Sequence, residues 1–330
     1  MNTMPGHTLL LLTLVMLGAP LHGTDLASLS TAELLTQSRA AYSLFPRKEL
    51  SQALAAKGVK DLPQLTAALG HAHWHVRHCA LLALKTLAQD QGKRAALQPL
   101  VPKLAEVILR DPALGVRMAA ADCLGALGEQ AKSAQKELAK ASVEDAEDWM
   151  RLSAAAALSA VHADPPVMMV AYEAMIRSTD KVSRGAGISK AAALQAKNLD
   201  ISSLVPALKN VFLKPLYDAN YSHHTREAAM NLLVLIKADL TGLASAITHD
   251  LATIWKTQED GYHPYQRITL KLLGKTGIYG ESAIPVLEAV IANPANFGCA
   301  RSHPDYPGFI ADSRASIQQI RAALASKGTK

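Results

Sequence analysis

The stretches WHVRHCALLALKTLA, at residues 74–88, and LGVRMAAADCLGALG, at residues 114–128, contain the pattern that decides the fold of this chain. In both, an arginine (Arg77 or Arg117) stands near the start of a helical run rich in alanine and leucine. The pattern returns five more times, around Arg151, Arg184, Arg226, Arg267 and Arg314. Successive arginines lie 40, 34, 33, 42, 41 and 47 residues apart. This spacing is typical of repeats that consist of two helices.

An apolar helical segment precedes each arginine and predicts a first helix for every repeat. These segments lie at residues 61–69, 97–109, 134–141, 165–176, 201–213, 240–255 and 281–292. Several have proline in or near the first turn, where the missing N–H would have no intrahelical partner. Because no single pair of helices can bury its apolar face, neighbouring pairs must stack on one continuous core.

The sequence therefore predicts an all-α fold, a right-handed α-solenoid of about seven helix pairs with an N-terminal helical cap. The cap covers residues 24–60, where Ser30 and Glu33 match a capping box. The repeat array covers residues 61–330, with approximate repeats at 61–92, 97–130, 133–163, 165–198, 201–238, 240–277 and 281–326.

The second-helix pattern xVR-x-x-A-x-x-x-L, the first-helix proline and the period together resemble the HEAT and HEAT-like repeat family, which includes repeats of the phycobilin-lyase type. The resemblance covers about residues 61–325, although Met150 and Ser183 take the place of valine before their arginines. It implies an armadillo-like helical fold. Members of the family include transport scaffolds, phycobilin lyases and DNA glycosylases, so for function the resemblance implies an interaction surface and no particular chemistry.

The first residues of the chain favour export. The apolar run Leu9–Leu17 is too short for a stable membrane anchor but suits the core of a signal peptide. A cut after Gly23 would remove residues 1–23 and leave Thr24 as the new N-terminus, although the segment before the run contains no lysine or arginine. We expect a periplasmic or extracellular protein, with no transmembrane segment in the mature chain.

Charge and cysteine content limit the partners of such a protein. The net charge of +6 favours an acidic surface, such as an acidic glycan or phospholipid headgroups, over nucleic acid, unless the charges are simply solvated. The cysteines Cys79, Cys123 and Cys299 are odd in number, which argues against a disulfide framework. The first two fall within second helices and are interpreted as small buried apolar residues.

Acidic residues stand shortly before six of the seven arginines, at Asp111, Asp148, Asp180, Asp218, Asp260 and Asp312. An aspartate in the turn can cap the second helix. It can also pair with the arginine of its own or the adjoining repeat. We interpret the seven arginines as a structural ladder of this kind, because regular spacing is what repetition of the fold alone would produce.

The turns of repeats five to seven are longer than the others and rich in tyrosine, histidine and proline, at residues 216–226, 258–267 and 297–314. Equivalent turns of a solenoid lie along one rim, and long aromatic loops on a rigid scaffold are common binding sites. The Tyr/His rim is defined here as the candidate binding residues Tyr217, Tyr221, His223, His224, Tyr262, His263, Tyr265, His303, Asp305 and Tyr306. A structural role, filling gaps beneath the loops, is the alternative.

Metal and catalytic motifs are weak. His71, His73, His75 and His78 cluster in repeat one, and rim histidines could approach aspartates, but no HExxH or paired CxxC occurs. Neither GxSxG, a P-loop nor GxGxxG is found. We therefore predict no catalytic residue, no metal and no cofactor.

The expected function is that of a non-enzymatic binding or scaffold protein for a protein, glycan or other polar ligand. Two alternatives remain open. One is a hydrolase or lyase that uses rim histidines and carboxylates. The other is a HEAT-like protein that binds nucleic acid; it would contradict export and would need a dense basic stripe, which the inner helices do not show.

Overall fold

The computed structural model describes residues 25–39, 44–212, 223–254, 265–297, 299 and 304–328. These residues form α-helices and short 3-10 helices, with no strand among them. The predicted signal peptide, residues 1–23, lies outside the described residues. Across the described part of the chain, no helix is both long enough and apolar enough to cross a bilayer.

The chain divides into two compact units after Met168. The helices of the first unit are α1 (Thr31–Ser38), α2 (Leu44–Ala56), α3 (Leu62–Ala68), α4 (Trp74–Gln89), α5 (Arg94–Leu97), α6 (Val101–Arg110), α7 (Leu114–Leu127), α8 (Gln135–Glu144) and α9 (Asp148–Ala160). Helix α10 (Pro165–Arg177) spans the division. The second unit continues with α11 (Lys181–Gln195), α12 (Val205–Asn210), α13 (His223–Leu235), α14 (Leu243–Ile254), α15 (Tyr265–Lys275), α16 (Ile284–Ala292) and α17 (Tyr306–Gly328).

In the first unit the second helices form one layer and the first helices another. Helix α4 packs on α7 and α7 packs on α9, while α6 covers α7 and α8 covers α9. Fully buried alanines lie between these helices, among them Ala83, Ala120 and Ala154. Because alanine adds little bulk and favours helix, an alanine-rich sequence allows the second helices to pack in close succession.

The second unit repeats this order by itself. Helices α11, α13, α15 and α17 pack in succession, and α12, α14 and α16 pack against α13, α15 and α17 respectively. Leu233, Leu273 and Ile320 are fully buried in its core. The predicted succession of helix pairs therefore describes the local packing of each unit.

The N-terminal helices begin as the sequence predicts. The capping box is confirmed, because the Ser30 side chain accepts a hydrogen bond from the Glu33 N–H. In return, the Ser30 N–H donates to Glu33 Oε2 at 2.8 Å. Together these bonds satisfy two amide donors at the start of α1.

The last repeat differs from the prediction of a long turn up to Arg314. Helix α17 begins at Tyr306, so nine of the residues assigned to the turn are helical. Pro307 is tolerated there because it occupies the first turn of the helix. Phe309 is fully buried, and its N–H donates to the Asp305 carbonyl at 2.9 Å. Burial of this aromatic ring stabilises the early start of the helix.

Candidate functional site

Three arginines of the described repeats pair with an aspartate of the following repeat; Asp111 and Asp145 lie before the next second helix, whereas Asp312 lies within α17. Arg77 donates from Nε and Nη2 to the two carboxylate oxygens of Asp111, at 2.6 and 2.8 Å. Arg117 forms the same two-fold pair with Asp145, at 2.9 and 3.0 Å. In the second unit, Arg267 Nε donates to Asp312 at 2.7 Å. Paired N–H donors matched to both carboxylate oxygens give the strongest and most directional ion pairs in proteins.

The same arginines also hold the turn of their own repeat. Each of Arg77, Arg117, Arg151 and Arg184 is the fourth residue of its helix, and helical side chains lean toward the N-terminus. The Nη1 group of each therefore reaches the carbonyl six residues earlier. These carbonyls belong to His71, Asp111, Asp145 and Ser178, at 2.8, 3.0, 2.6 and 2.6 Å respectively. The guanidinium groups of Arg77 and Arg117 thus each join two successive turns.

Two of the six aspartates take the other roles that the sequence allows, and Arg117 takes a partner outside the six. Arg117 forms its ion pair with Asp145 and not with Asp148. Asp148 instead pairs with Arg151 of its own helix. Asp180 accepts the Ser183 N–H at 2.7 Å and so caps α11. Asp145 and Asp148 have different partners because Asp145 lies in the turn before α9, while Asp148 is the first residue of that helix.

The remaining ladder positions are less uniform. Arg184 and Arg226 are buried, and Arg314 is exposed on α17. Asp218 and Asp260 lie outside the described residues. Where its partners are described, the ladder holds turns together and its charge is already paired.

Seven of the ten residues of the Tyr/His rim have no described side chain. Tyr217, Tyr221, Tyr262, His263 and His303 lie outside the described residues. His223 and Tyr265 begin α13 and α15, but their side chains are likewise not described. His224 is exposed on α13, Tyr306 is half-buried at the start of α17, and Asp305 lies 3.7 Å from Arg267 Nη1. The rim as a binding surface therefore stays a prediction.

The histidine-rich turn of repeat one is described in full and forms an aromatic cluster. The rings of His71 and His73 stack with centroids 5.7 Å apart, and Trp74 contacts His75 at 3.9 Å. Arg39 Nη2 lies within hydrogen-bonding distance of His73 Nε2, at 3.0 Å. Within the described residues, no three His, Cys, Asp or Glu side chains converge as metal ligands would.

A groove of about 400 Å³ lies on the second-helix layer of the first unit. Its charged and amide side chains are Lys85 and Gln89 of α4, Arg94 of α5 and Asp122 of α7. Small residues form the rest of the lining: Ala121, Gly125, Ala126, Ala156, Ala157 and Ala160. The volume is within the range of ligand-binding clefts.

The charged groups of this groove are held in place by named contacts. Lys85 Nζ pairs with Asp122 Oδ2 at 2.8 Å. Arg94 Nε donates to the carbonyl of Ala88, near the end of α4, at 2.8 Å. A side chain at Gly128 would begin 3.5 Å from Arg94 Nη1, and Gly128 has a φ of +63°. Glycine therefore ends α7 in a left-handed conformation and leaves room beside the guanidinium.

Sequence reasoning did not find this groove. Lys85, Arg94 and Asp122 belong to no motif, and they are 9 and 28 residues apart along the chain. One signal was available in the sequence LSAAAALSA, residues 152–160. Its alanines outnumber those that a buried helix face can hold, and Ala156 and Ala160 are exposed. Alanine on an exposed helix face leaves space beside that face for another molecule.

Comparisons with known proteins identify no family. No protein-family model matches this chain, and no curated protein does. One solved structure, described as an engineered protein, shares 17% identity with a TM-score of 0.41, over 91% of this chain and 82% of that one. Another engineered protein shares 15% identity with a TM-score of 0.28, over 80% of this chain and 97% of its own. The description of this protein as all-helical rests on its own helices.

Proposed function

We propose that this chain is an exported, non-enzymatic binding or scaffold protein, built as a right-handed HEAT-like α-solenoid. The order of helix pairs within each unit supports the solenoid, because second helices pack on second helices. The pairs Arg77–Asp111, Arg117–Asp145 and Arg267–Asp312 support it further, since each joins one repeat to the next. Such arrays present extended surfaces for binding.

The groove on the second-helix layer carries the proposal. Its lining combines paired and unpaired charge with an amide and a wall of small apolar side chains. These are the properties of a site that orients a partner with few polar contacts over an apolar surface. The ligand is a protein, a glycan or another polar molecule, and the Tyr/His rim is proposed as a second contact surface of the same array.

Affinity capture from the source cells tests this function. The bait is the full-length protein, compared with Ala156→Leu, which fills the groove, and with a Tyr221→Ala, Tyr265→Ala double variant of the rim. We expect a partner that the wild-type protein retains and at least one of these variants loses. Identical captured sets from the wild-type protein and both variants, with each variant folded by circular dichroism, would exclude binding through these surfaces.

Export is tested separately. The protein recovered from the envelope fraction or the medium is digested, and its N-terminal peptide is identified by mass spectrometry. Cleavage after Gly23 predicts a peptide that begins at Thr24. Recovery of the intact N-terminus from the cytosol alone would exclude the exported form.

A further inference from the structure

We infer that the groove of the first unit binds an extended peptide segment of a partner protein, with an acidic side chain of that segment held by Arg94. This inference rests on the proposed binding function and adds the chemistry of the ligand. Three properties of the groove lead to it: the charge that its own residues leave uncompensated, the helix ends that surround it, and the small residues of its wall.

Arg94 supplies the charge. Lys85 and Asp122 compensate each other at 2.8 Å, so the formal charge of the lining is that of Arg94. Within the described residues Arg94 has no ion-pair partner, and its described hydrogen bond, from Nε to Ala88, leaves the Nη donors for another acceptor. This bond positions the guanidinium before a ligand arrives. A fixed planar guanidinium favours a carboxylate, which it can bind with two parallel hydrogen bonds.

The surrounding helix ends disfavour a small free anion. The groove is lined by the C-terminal halves of α4, α7 and α9, which end at Gln89, Leu127 and Ala160. Each C-terminus has a partial charge of about −0.5, which repels a dianion more strongly than the single charge of a carboxylate beside Arg94. The terminal carbonyls at these ends have no intrahelical donor, and the carbonyl of Ala88 already accepts from Arg94. A peptide offers both a carboxylate for Arg94 and backbone N–H groups for carbonyls.

The small residues of the groove wall favour an extended ligand with small side chains. Ala156 and Ala160 on α9 and Ala126 on α7 project no more than a methyl group into the groove. Gly125 lets α7 lie against α9, since a side chain there would begin 3.5 Å from the Ala157 Cα. A backbone can therefore approach the helix surfaces closely, as it does at other small-residue contacts. A large aromatic or branched ligand would not use this flat wall, whereas an extended chain with small side chains lies along it.

The test is selection of peptides on the full-length protein from a phage-displayed library of random heptapeptides. Selected peptides are then synthesised with a fluorescent label and titrated by anisotropy. The variants are Arg94→Ala, Ala156→Leu and two controls of matched type outside the groove. Arg110→Ala removes an arginine whose side chain is 78% exposed on α6, and Ala67→Leu enlarges an exposed alanine on α3. Thermal melts establish that each variant is folded.

We expect the selected peptides to contain aspartate or glutamate. Arg94→Ala and replacement of the peptide's acidic residue by its amide should each weaken binding about tenfold or more, because a hydrogen bond between charged groups is lost. Ala156→Leu should weaken binding to a similar extent without any change of charge, and both controls should bind as the wild-type protein does. Inorganic phosphate at the peptide concentration should not compete.

Three results would overturn the inference. In the first, the selected peptides lack acidic residues, bind Arg94→Ala normally and fail to bind Ala156→Leu. The groove would then be a binding site, but one that does not recognise an acidic side chain through Arg94. Competition by phosphate would identify a simple anion site. Captured partners that bind Arg94→Ala and Ala156→Leu normally but lose the rim variant would remove the groove from the function and leave the proposed binding role intact.

Discussion

Two glycines of α11, two residues apart, are expected to respond in opposite directions to the same substitution. A methyl group at Gly187 would lie 2.8 Å from Met175 Cβ, 2.9 Å from the backbone nitrogen of Ile176 and 3.0 Å from Ile176 Cγ1. A methyl group at Gly185 would have no atom within 4 Å. Gly187 therefore lies at a close approach of α11 to α10, whereas Gly185 faces open space.

The magnitudes follow from two opposing terms. Alanine is more favourable than glycine inside a helix by about 1 kcal/mol, and this gain is available at both positions. Overpacking a tight contact costs about 1–3 kcal/mol, and the upper end applies at Gly187 because a backbone nitrogen and a Cβ cannot rotate away. We expect Gly187→Ala to lower the free energy of unfolding by about 2 kcal/mol and Gly185→Ala to raise it by about 1 kcal/mol.

Urea denaturation followed by circular dichroism measures both variants against the wild-type protein under identical conditions. The quantity compared is the shift of the unfolding midpoint, which takes opposite signs in the two variants. Gly185→Ala is the internal control, because it has the same chemical change in the same helix. A Gly187→Ala protein as stable as Gly185→Ala would refute the close approach of α10 and α11.

Three further predictions concern the first unit. Arg117→Ala should lower the free energy of unfolding by about 1–3 kcal/mol through lost pairing and packing, and an unchanged midpoint of thermal unfolding would contradict it. Burial raises the pKa of the Cys123 thiol to about 12. This thiol should therefore react with an alkylating reagent at pH 8 only as fast as the protein unfolds. Immediate labelling of Cys123, identified by mass spectrometry, would contradict its burial. Hydrogen bonds from Lys132 and Gln135 hold the pKa of Asp164 below the usual aspartate value. The stability difference between wild type and Asp164→Asn should therefore be present at neutral pH and vanish as the pH falls through that lowered pKa, whereas a difference constant from pH 7 to strong acid would count against it.

Helix positions were the most predictable feature of this chain. Alanine and leucine content, a first-turn proline and the position of each arginine are local signals, and they placed the helices that contain Arg77 and Arg117 correctly. The exception was α17. Its early start depends on burial of Phe309, and burial is a property of the folded unit that the segment alone does not show.

The candidate site was much less predictable. Aspartates near the arginines suggested ion pairs, but distance along the chain did not distinguish Asp145 from Asp148 as the partner of Arg117. The Tyr/His rim followed from loop length and composition, and half of its residues lie outside the described residues.

The sequence by itself determined that the described chain is helical and where most of its helices lie, because hydrogen bonding within a helix depends on residues a few positions apart. Only the tertiary structure decided which carboxylate meets which guanidinium, and that Lys85, Arg94 and Asp122 line one groove with Ala156. The physical reason is that these contacts depend on the spacing and rotation of neighbouring helices. Side chains of the whole packed layer set that spacing and rotation together, so no local pattern in the sequence specifies them.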